Sequence, residues 1–178
     1  WRIRPDDQSR WGDLDFSVSP TANSATDWPD AASDKVLTLG YDGTVLNPRQ
    51  PSFHAVGMSG ASFDSGTMTG SGNAGVSHNI GNHYNGSTGV FTAPVAGRYL
   101  TGCGVLVETS SGRLEGNISK NNSSSVVNFN GTGTTYDGPV AVAVVQLAAN
   151  DTLRVTRQSG NAYDPSHGQH YFFAHLVG

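Results

Sequence analysis

The sequence predicts an all-β fold, and three features of the chain point to that class. Glycine is abundant at 23 residues, and charged residues make up only 13% of the 178-residue chain. Glutamate and lysine, which helices favour on their surfaces, are rare. Short apolar stretches recur along the chain, with Gly, Asn, Ser and Pro between them. Strands of this spacing, separated by such turns, are typical of a β-sandwich or barrel.

Residues 1–50 differ in composition from the rest of the chain, because they contain all three Trp and most of the Asp. Alternation of polar and apolar residues at 1–4 and 13–18 predicts two short strands, and the small polar residues 19–33 predict a loop. Residues 35–45 predict a strand, an Asp-Gly turn and a second strand. This segment has too little apolar surface to fold alone. We therefore expect a neck that packs on copies of itself and on the base of the following domain.

Pro48 and Pro51 predict a domain boundary, because each proline restricts the residue before it and interrupts strand pairing. The chain is thus predicted to contain a neck at residues 1–50 and a sandwich domain at residues 51–178. Residues 59–77, rich in Gly, Ser and Thr, are predicted to be a loop or a poorly paired edge. Nine strands are predicted in the second domain: residues 52–58, 76–80, 90–92, 98–108, 112–119, 126–130, 139–147, 152–158 and 169–177.

A motif at residues 79–99 resembles the signature of the C1q globular-domain family. The matching positions are Asn79, Tyr84, Phe91, Gly97 and Tyr99. Lys120-Asn121 and Asn150-Asp151 resemble two turns of that family, and residues 170–178 resemble its closing apolar strand. The resemblance implies a C1q-like jelly-roll sandwich that forms a homotrimer and works as a non-catalytic recognition head. It also implies that the aromatic residues of the motif lie in the core.

Three predicted strands, residues 99–107, 140–145 and 171–177, are apolar on both faces. A strand of a β-sandwich normally shows one polar face to water. Loops could cover such strands in a monomer; alternatively, one sheet is buried a second time against neighbouring protomers. Small residues on the second faces would let two sheets approach closely: Gly102, Gly104, Ala141, Ala143 and Ala174. Together with the family resemblance, this pattern predicts a homotrimer.

Several functional classes are disfavoured by composition and motifs. The net charge of −4 and the lack of a basic block argue against nucleic-acid binding, and no apolar run approaches the ~18 residues of a membrane span. No phosphate-binding loop, serine-hydrolase elbow or zinc-protease motif is present. The single cysteine, Cys103, lies in an apolar stretch and is predicted to be a buried core residue. These observations predict a binding protein and no enzyme.

Candidate binding residues lie in the loops at residues 59–77, 121–138 and 158–169, which are rich in Gly, Asn and Tyr. Tyr136 and Tyr163 are candidate exposed anchors, with Asp137 and Asp164 as their polar partners; ordinary turn residues are the alternative. The family resemblance also implies a Ca²⁺ site, and its candidate ligands are Asp137, Asp151 and Asp164.

The six histidines raise a second metal hypothesis. His170 and His175 are an odd number of residues apart, so on one strand they point to opposite faces and cannot bind one ion within one protomer. A three-fold axis could instead collect one histidine from each chain. The His-x-His pattern of phage fibres that use this arrangement is absent.

Residues 35–45 resemble the stretch that precedes the C-terminal head in many phage tail fibres, and the chain opens at Trp1 without Met. The first hypothesis is therefore a bacteriophage tail-fibre tip: a structural, receptor-binding protein of the virion that attaches to a host-surface glycan or protein. The alternative is a secreted, extracellular C1q/TNF-like recognition protein of a cell, such as a lectin or a ligand. A small extracellular enzyme is the third hypothesis, and it lacks any recognisable catalytic set.

Overall fold

The computed structural model describes residues 14–18, 35–70, 76–108, 112–133, 137–163, 165 and 167–178, and the backbone of residues 2–5. The chain divides into two compact units, Trp1–Gln50 and Pro51–Gly178.

The first unit contains one antiparallel sheet of four strands in sequential order. They are β1 (Arg2–Pro5), β2 (Leu14–Ser17), β3 (Lys35–Leu39) and β4 (Val45–Leu46). The turn between β3 and β4 forms where the Asp-Gly pair predicts it: the Thr44 N–H donates to the Asp42 carboxylate at 3.0 Å. Asp15 on β2 is buried and is paired with Lys35 Nζ at 2.6 Å. Its carboxylate also accepts a hydrogen bond from the Thr38 hydroxyl.

The second unit is a jelly-roll sandwich of two five-stranded sheets, which confirms the predicted fold class. The front sheet has the order β12-β9-β14-β5-β6, and the back sheet has the order β11-β10-β13-β8-β7. The strands are β5 (Ser52–Val56), β6 (Val76–Ile80), β7 (Tyr84–Asn85), β8 (Val90–Thr92), β9 (Gly97–Gly104), β10 (Leu114–Lys120), β11 (Ser124–Gly131), β12 (Val140–Leu147), β13 (Thr152–Ser159) and β14 (Tyr171–Leu176).

The core between the two sheets is built around aromatic rings. Phe53 stacks on Tyr84 with ring centroids 4.3 Å apart and on Phe91 at 5.1 Å. Phe91 meets Tyr99 edge to face at 5.6 Å, and Phe172 meets Phe53 edge to face at 4.9 Å. All five side chains are buried. The predicted burial of Tyr84, Phe91 and Tyr99 is therefore confirmed.

The first residues of the motif form a clamp across the turn between β6 and β7. Asn79 Nδ2 donates to the Tyr84 carbonyl at 2.8 Å, and the Tyr84 N–H donates to Asn79 Oδ1 at 3.1 Å. The turn itself needs left-handed backbone at Gly81 and Asn82, whose φ angles are 79° and 57°. The spacing of Asn79 and Tyr84 thus lets one side chain satisfy both backbone groups of the tyrosine.

Two elements differ from the sequence-based expectation. Residues 59–77 were expected to be a loop or a poorly paired edge, but they contain the short helix α1 (Gly60–Asp64); β6 begins at Val76 as predicted. Ser59 caps this helix by accepting the Ser62 N–H at 3.2 Å. The two-residue strand β7 was also not predicted, since its length is below what a periodic pattern can indicate.

Candidate functional site

The outward face of the front sheet carries an exposed row of valines on its edge strand β12. Val140, Val142 and Val144 are 61%, 56% and 60% exposed, whereas the intervening Ala141 is only 4% exposed and packs in the core. The expectation that the alanine side of this strand forms the close-packing outer face is therefore wrong. The physical reason is register: the valine side faces away from the opposite sheet, and the alanine side faces towards it.

Aromatic rings continue this surface across the neighbouring strands. A Cβ atom on Gly102 would lie 2.7 Å from the Phe173 ring, and one on Gly104 would lie 2.4 Å from the Tyr171 ring. The two glycines of β9 therefore let the two rings of β14 lie flat over the adjacent strand. Gly102 pairs with both Val142 and Phe173, so the valine row and the rings form one apolar surface. We call this surface the front face.

Three histidines border the front face on β5, β6 and β14. The His78 ring lies 6.3 Å from His54 and 5.4 Å from His175, measured between centroids. The Ser77 hydroxyl donates to the His54 carbonyl, so it accepts from His54 Nδ1–H at 3.0 Å. His54 therefore presents Nε2 as an acceptor in its neutral form.

The charge state of this histidine cluster is set by its surroundings. Burial, and then the neighbouring His78, lower the pKa of His54 below its ordinary value of 6.5. Burial, His78 and His54 lower the pKa of His175 in the same direction. Two of the three rings thus favour the neutral form.

His170 and His175 point to opposite sides of the front sheet, as predicted from their odd spacing. His170 is fully buried, with its Nδ1 3.1 Å from the Met58 carbonyl, whereas His175 belongs to the outward cluster with His78. Within the described ranges, no three His, Cys, Asp or Glu side chains form a group that could hold a metal ion.

Two of the candidate binding residues, Tyr136 and Asp164, lie outside the described residues. Tyr163 is 39% exposed, and its ring meets the His167 ring edge to face at 6.0 Å. The Asp137 carboxylate accepts from the Thr132 N–H at 2.6 Å and from the Thr132 hydroxyl at 3.2 Å. Asp137 therefore secures its own loop, and the side chain of Tyr163 is partly exposed.

Asp151, the third candidate calcium ligand, holds two turns together. Its carboxylate pairs with Lys120 Nζ at 2.7 Å and accepts from Asn121 Nδ2 and the Ala148 N–H, each at 2.7 Å. The hydrogen bonds from Asn121, and then those from Lys120 and Ala148, lower the pKa of Asp151 to about 2. The two turns that resemble those of the C1q family are therefore linked to each other through this carboxylate.

Cys103 has the environment of a core residue. It is fully buried, and burial raises the pKa of its thiol, so the reactive thiolate is disfavoured. The predicted core role of Cys103 is confirmed. None of the helices in the described part of the chain is long and apolar enough to cross a membrane.

The C1q domain family model matches residues 60–177 of this chain. Murine APRIL at pH 5.0 is similar in structure, with a TM-score of 0.55 and 11% identity over 72% of this chain and 99% of that chain. The globular domain of zebrafish complement 1qA gives a TM-score of 0.50 and 16% identity over 72% and 98% of the two chains. Eiger TNF from S. frugiperda gives a TM-score of 0.50 and 12% identity over 73% of this chain and 94% of that chain. Identities this low show a shared fold, and no curated protein sequence matches the chain.

The valine row and the histidine cluster were not among the sequence-predicted site residues. The alternation of Val and Ala in β12 did signal a strand with two apolar faces, but it did not show which face is outward. The histidine cluster carried no such signal, because His54, His78 and His175 come from three separate strands. Only the antiparallel pairing of β5 with β6 and β14 brings them together.

Proposed function

Because the chain belongs to the C1q domain family, we propose that it is a homotrimeric recognition head that binds a receptor and catalyses no reaction. Domains of this family are generally binding modules. The observation that carries the proposal is the front face, where three exposed valines adjoin the rings of Tyr171 and Phe173. A contiguous apolar surface of this kind is typical of protein–protein contacts.

Light scattering of the whole chain tests the assembly. We expect a mass about three times the 18.6 kDa of one chain. Val142→Lys should give folded monomers, because it places an unpaired charge in the proposed interface. Val95→Lys is the matched control, since Val95 is an exposed valine on the turn between β8 and β9. A monomeric wild type, or a Val142→Lys variant that assembles normally, would contradict the proposal.

In the finer form of this proposal, the head lies at the tip of a bacteriophage tail fibre and attaches to the host surface. Residues 35–45 support it, because their sequence resembles the stretch before phage heads. A secreted cellular recognition protein is supported by the similarity to APRIL and to Eiger TNF. Adsorption of the purified chain to a panel of bacterial cells distinguishes the two: selective adsorption favours the fibre, and its absence from every strain favours the cellular protein.

We further propose that receptor contacts involve the outer loops, with Tyr136 and Tyr163 as anchors and Asp137 and Asp164 as polar partners. Tyr163 supports this, since its ring is partly exposed beside His167. Tyr136→Ala and Tyr163→Ala should each weaken adsorption at equal folded concentration. If both variants adsorb like the wild type, the loop site is excluded while the trimer is not.

The calcium proposal for Asp137, Asp151 and Asp164 is tested separately. Calcium that binds the folded chain and not the unfolded chain should raise its melting temperature as the free Ca²⁺ concentration exceeds the dissociation constant. An equal melting temperature in excess Ca²⁺ and in chelator would exclude the site.

A further inference from the structure

The back sheet carries a groove on its outward surface, lined by polar and apolar side chains. The groove has a volume of about 530 Å³ and is open to solvent. Its walls come from the turn between β6 and β7, from residues 85–92, and from Arg154 of β13. No Asp or Glu occurs among the described residues that line it. Arg154 is therefore the only group in this lining that carries a permanent charge.

Arg154 is directed into this groove by the alternation of β13. Leu153 and Val155 on either side are fully buried in the core, so Arg154 faces outward. Its Nε is buried and has no hydrogen-bond partner within the described part of the chain. Ser119 lies opposite Arg154 in the backbone register of β10 and β13. Its hydroxyl is also buried and has no hydrogen-bond partner among the described residues. No described residue accepts from the Nε–H of Arg154, and a ligand in the groove would meet the terminal N–H groups of the same guanidinium, which can donate to it.

The opposite wall of the groove adds neutral hydrogen-bonding groups. Asn85 Oδ1 already accepts from the N–H groups of Ser87 at 3.0 Å and Thr88 at 3.3 Å. The Asn85 NH₂ group therefore remains for a ligand. The Thr92 N–H donates to the His83 carbonyl at 2.8 Å, which fixes the turn against β8. The groove thus offers the guanidinium of Arg154, the amide donor of Asn85 and the hydroxyls of Thr88 and Thr92.

We propose that this groove binds an acidic sugar, with the sugar carboxylate paired to Arg154. A guanidinium matches a carboxylate through two parallel hydrogen bonds. The amide of Asn85 and the hydroxyl of Thr92 suit sugar hydroxyls, and Val90 offers an apolar contact to the C–H face of the ring. The groove volume falls within the range of small-ligand sites, about 300–1,000 Å³.

This inference rests on the proposed recognition function and specifies its ligand. The groove lies on the back sheet, and the proposed trimer contact lies on the front sheet. Each protomer of a trimer would therefore keep its own groove. Three weak sugar contacts on one rigid head would give a much higher affinity for a surface that displays many copies of the sugar.

The test is calorimetric titration of the full chain with the methyl glycosides of N-acetylneuraminic acid and of glucuronic acid. The methyl ester of each sugar removes its charge, and acetate serves as a carboxylate without a sugar. We expect at least one acidic sugar to bind, and its ester and acetate to bind about tenfold more weakly or not at all. If the ester or acetate binds as tightly as the acid, or if neither acid binds, the proposal is overturned.

Variants locate the binding to the groove. Arg154→Gln should weaken binding by about tenfold or more. Arg154→Lys should recover part of the lost affinity, because lysine keeps the positive charge but not the two parallel N–H donors of the guanidinium. The control is Arg113→Gln, which removes one positive charge from a side chain that is 65% exposed and paired with Glu115. Binding by Arg154→Gln that equals the wild type would overturn the assignment.

Thr92→Val, which is nearly isosteric, keeps the test informative if Arg154→Gln does not fold. We expect Thr92→Val to weaken binding several-fold with an unchanged melting temperature, and unchanged binding would count against the groove. Light scattering of the same samples separates the two proposals. A trimer that binds no acidic sugar overturns this inference alone, whereas a monomer overturns the proposed function.

Discussion

At the scale of single residues, the aromatic core of the sandwich gives the clearest stability test. Phe91 is fully buried and contacts Phe53 and Tyr99. Phe91→Ala should lower the free energy of unfolding by about 3–5 kcal/mol, as is usual for large-to-small core substitutions. Urea unfolding followed by circular dichroism measures the change. Val95→Ala, at an exposed position, is the control; a wild-type midpoint for Phe91→Ala would contradict the core assignment.

Ala141→Lys provides a second test at this scale, because it tests whether the alanine face of β12, rather than the valine row, packs in the core. Ala141 is 4% exposed and belongs to the core cluster. A lysine there would bury an unpaired charge inside the protomer, so we expect misfolded or aggregated protein. A folded Ala141→Lys monomer by circular dichroism and light scattering would show that this side of β12 lies at an interface instead.

The sequence was sufficient to predict which residues of β12 share a face, but not which face is inward. Both faces are apolar, so hydrophobicity does not distinguish them. The pairing of Val142 with Gly102 places the valines on the outward face, and this pairing depends on β9, a strand far away in the sequence. The burial of Tyr84, Phe91 and Tyr99 was predictable because each is a large ring at a motif position.

At the scale of elements, the link between two turns through Asp151 predicts an acid-sensitive step. The pKa of Asp151 is lowered to about 2 in the folded chain from its ordinary value of 3.8. The unfolded chain therefore binds a proton more readily, so this contribution to stability is complete above pH 3.8 and is lost as the pH falls towards 2. Asp151→Asn should be less stable at neutral pH and less sensitive to acid over that range.

Denaturant midpoints measured at a series of pH values check this prediction. Asp137→Asn is the matched control, because that carboxylate bonds to Thr132 within its own loop. If Asp151→Asn and the wild type lose stability in parallel below pH 3.8, the link between the turns contributes nothing measurable.

Strand positions were more predictable than short elements, and the reason is physical. Long strands such as β9 and β12 carry several alternating residues, so their pattern is distinct from a loop. Helix α1 has five residues and includes Gly60, and only the capping Ser59 signals it. Its formation depends on tertiary contacts such as the hydrogen bond from the Ala162 N–H to Asp64 at 2.7 Å. Local sequence cannot supply that contact.

At the scale of the whole molecule, the histidine cluster predicts a pH-dependent stability. His54 and His175 have pKa values below 6.5 in the folded chain, so the unfolded chain takes up protons first on acidification. Stability should therefore be complete above pH 6.5 and should fall as the pH drops below it. In a trimer that covers the front face, the same protonation would also oppose assembly.

Melting temperatures and light scattering between about pH 7.5 and about pH 5 cover the range in which imidazoles titrate. The double variant His54→Gln/His175→Gln should lose most of the pH dependence. A comparable change at His83, which is half-buried and lies outside the cluster, should leave this pH dependence intact. An equally steep pH dependence in the double variant would mean that other groups cause it.

The two compact units predict that the sandwich can be isolated. We propose that residues 51–178 fold without the neck, because the aromatic core lies wholly within them. The fragment should melt cooperatively and give the strand spectrum of the whole chain by circular dichroism. An insoluble fragment would indicate that the boundary between Pro48 and Pro51 is misplaced.

The position of β14 has a consequence for biosynthesis. Among the described strands it comes last in the sequence, yet it lies in the middle of the front sheet, between β9 and β5. Ser52 pairs with His175, so β5 must wait for a partner that leaves the ribosome more than a hundred residues later. Until then the nascent chain exposes unpaired apolar strands, which is the condition under which chains aggregate or recruit chaperones. A premature stop shortly before Tyr171 would therefore remove the centre of the sheet and leave two separated halves.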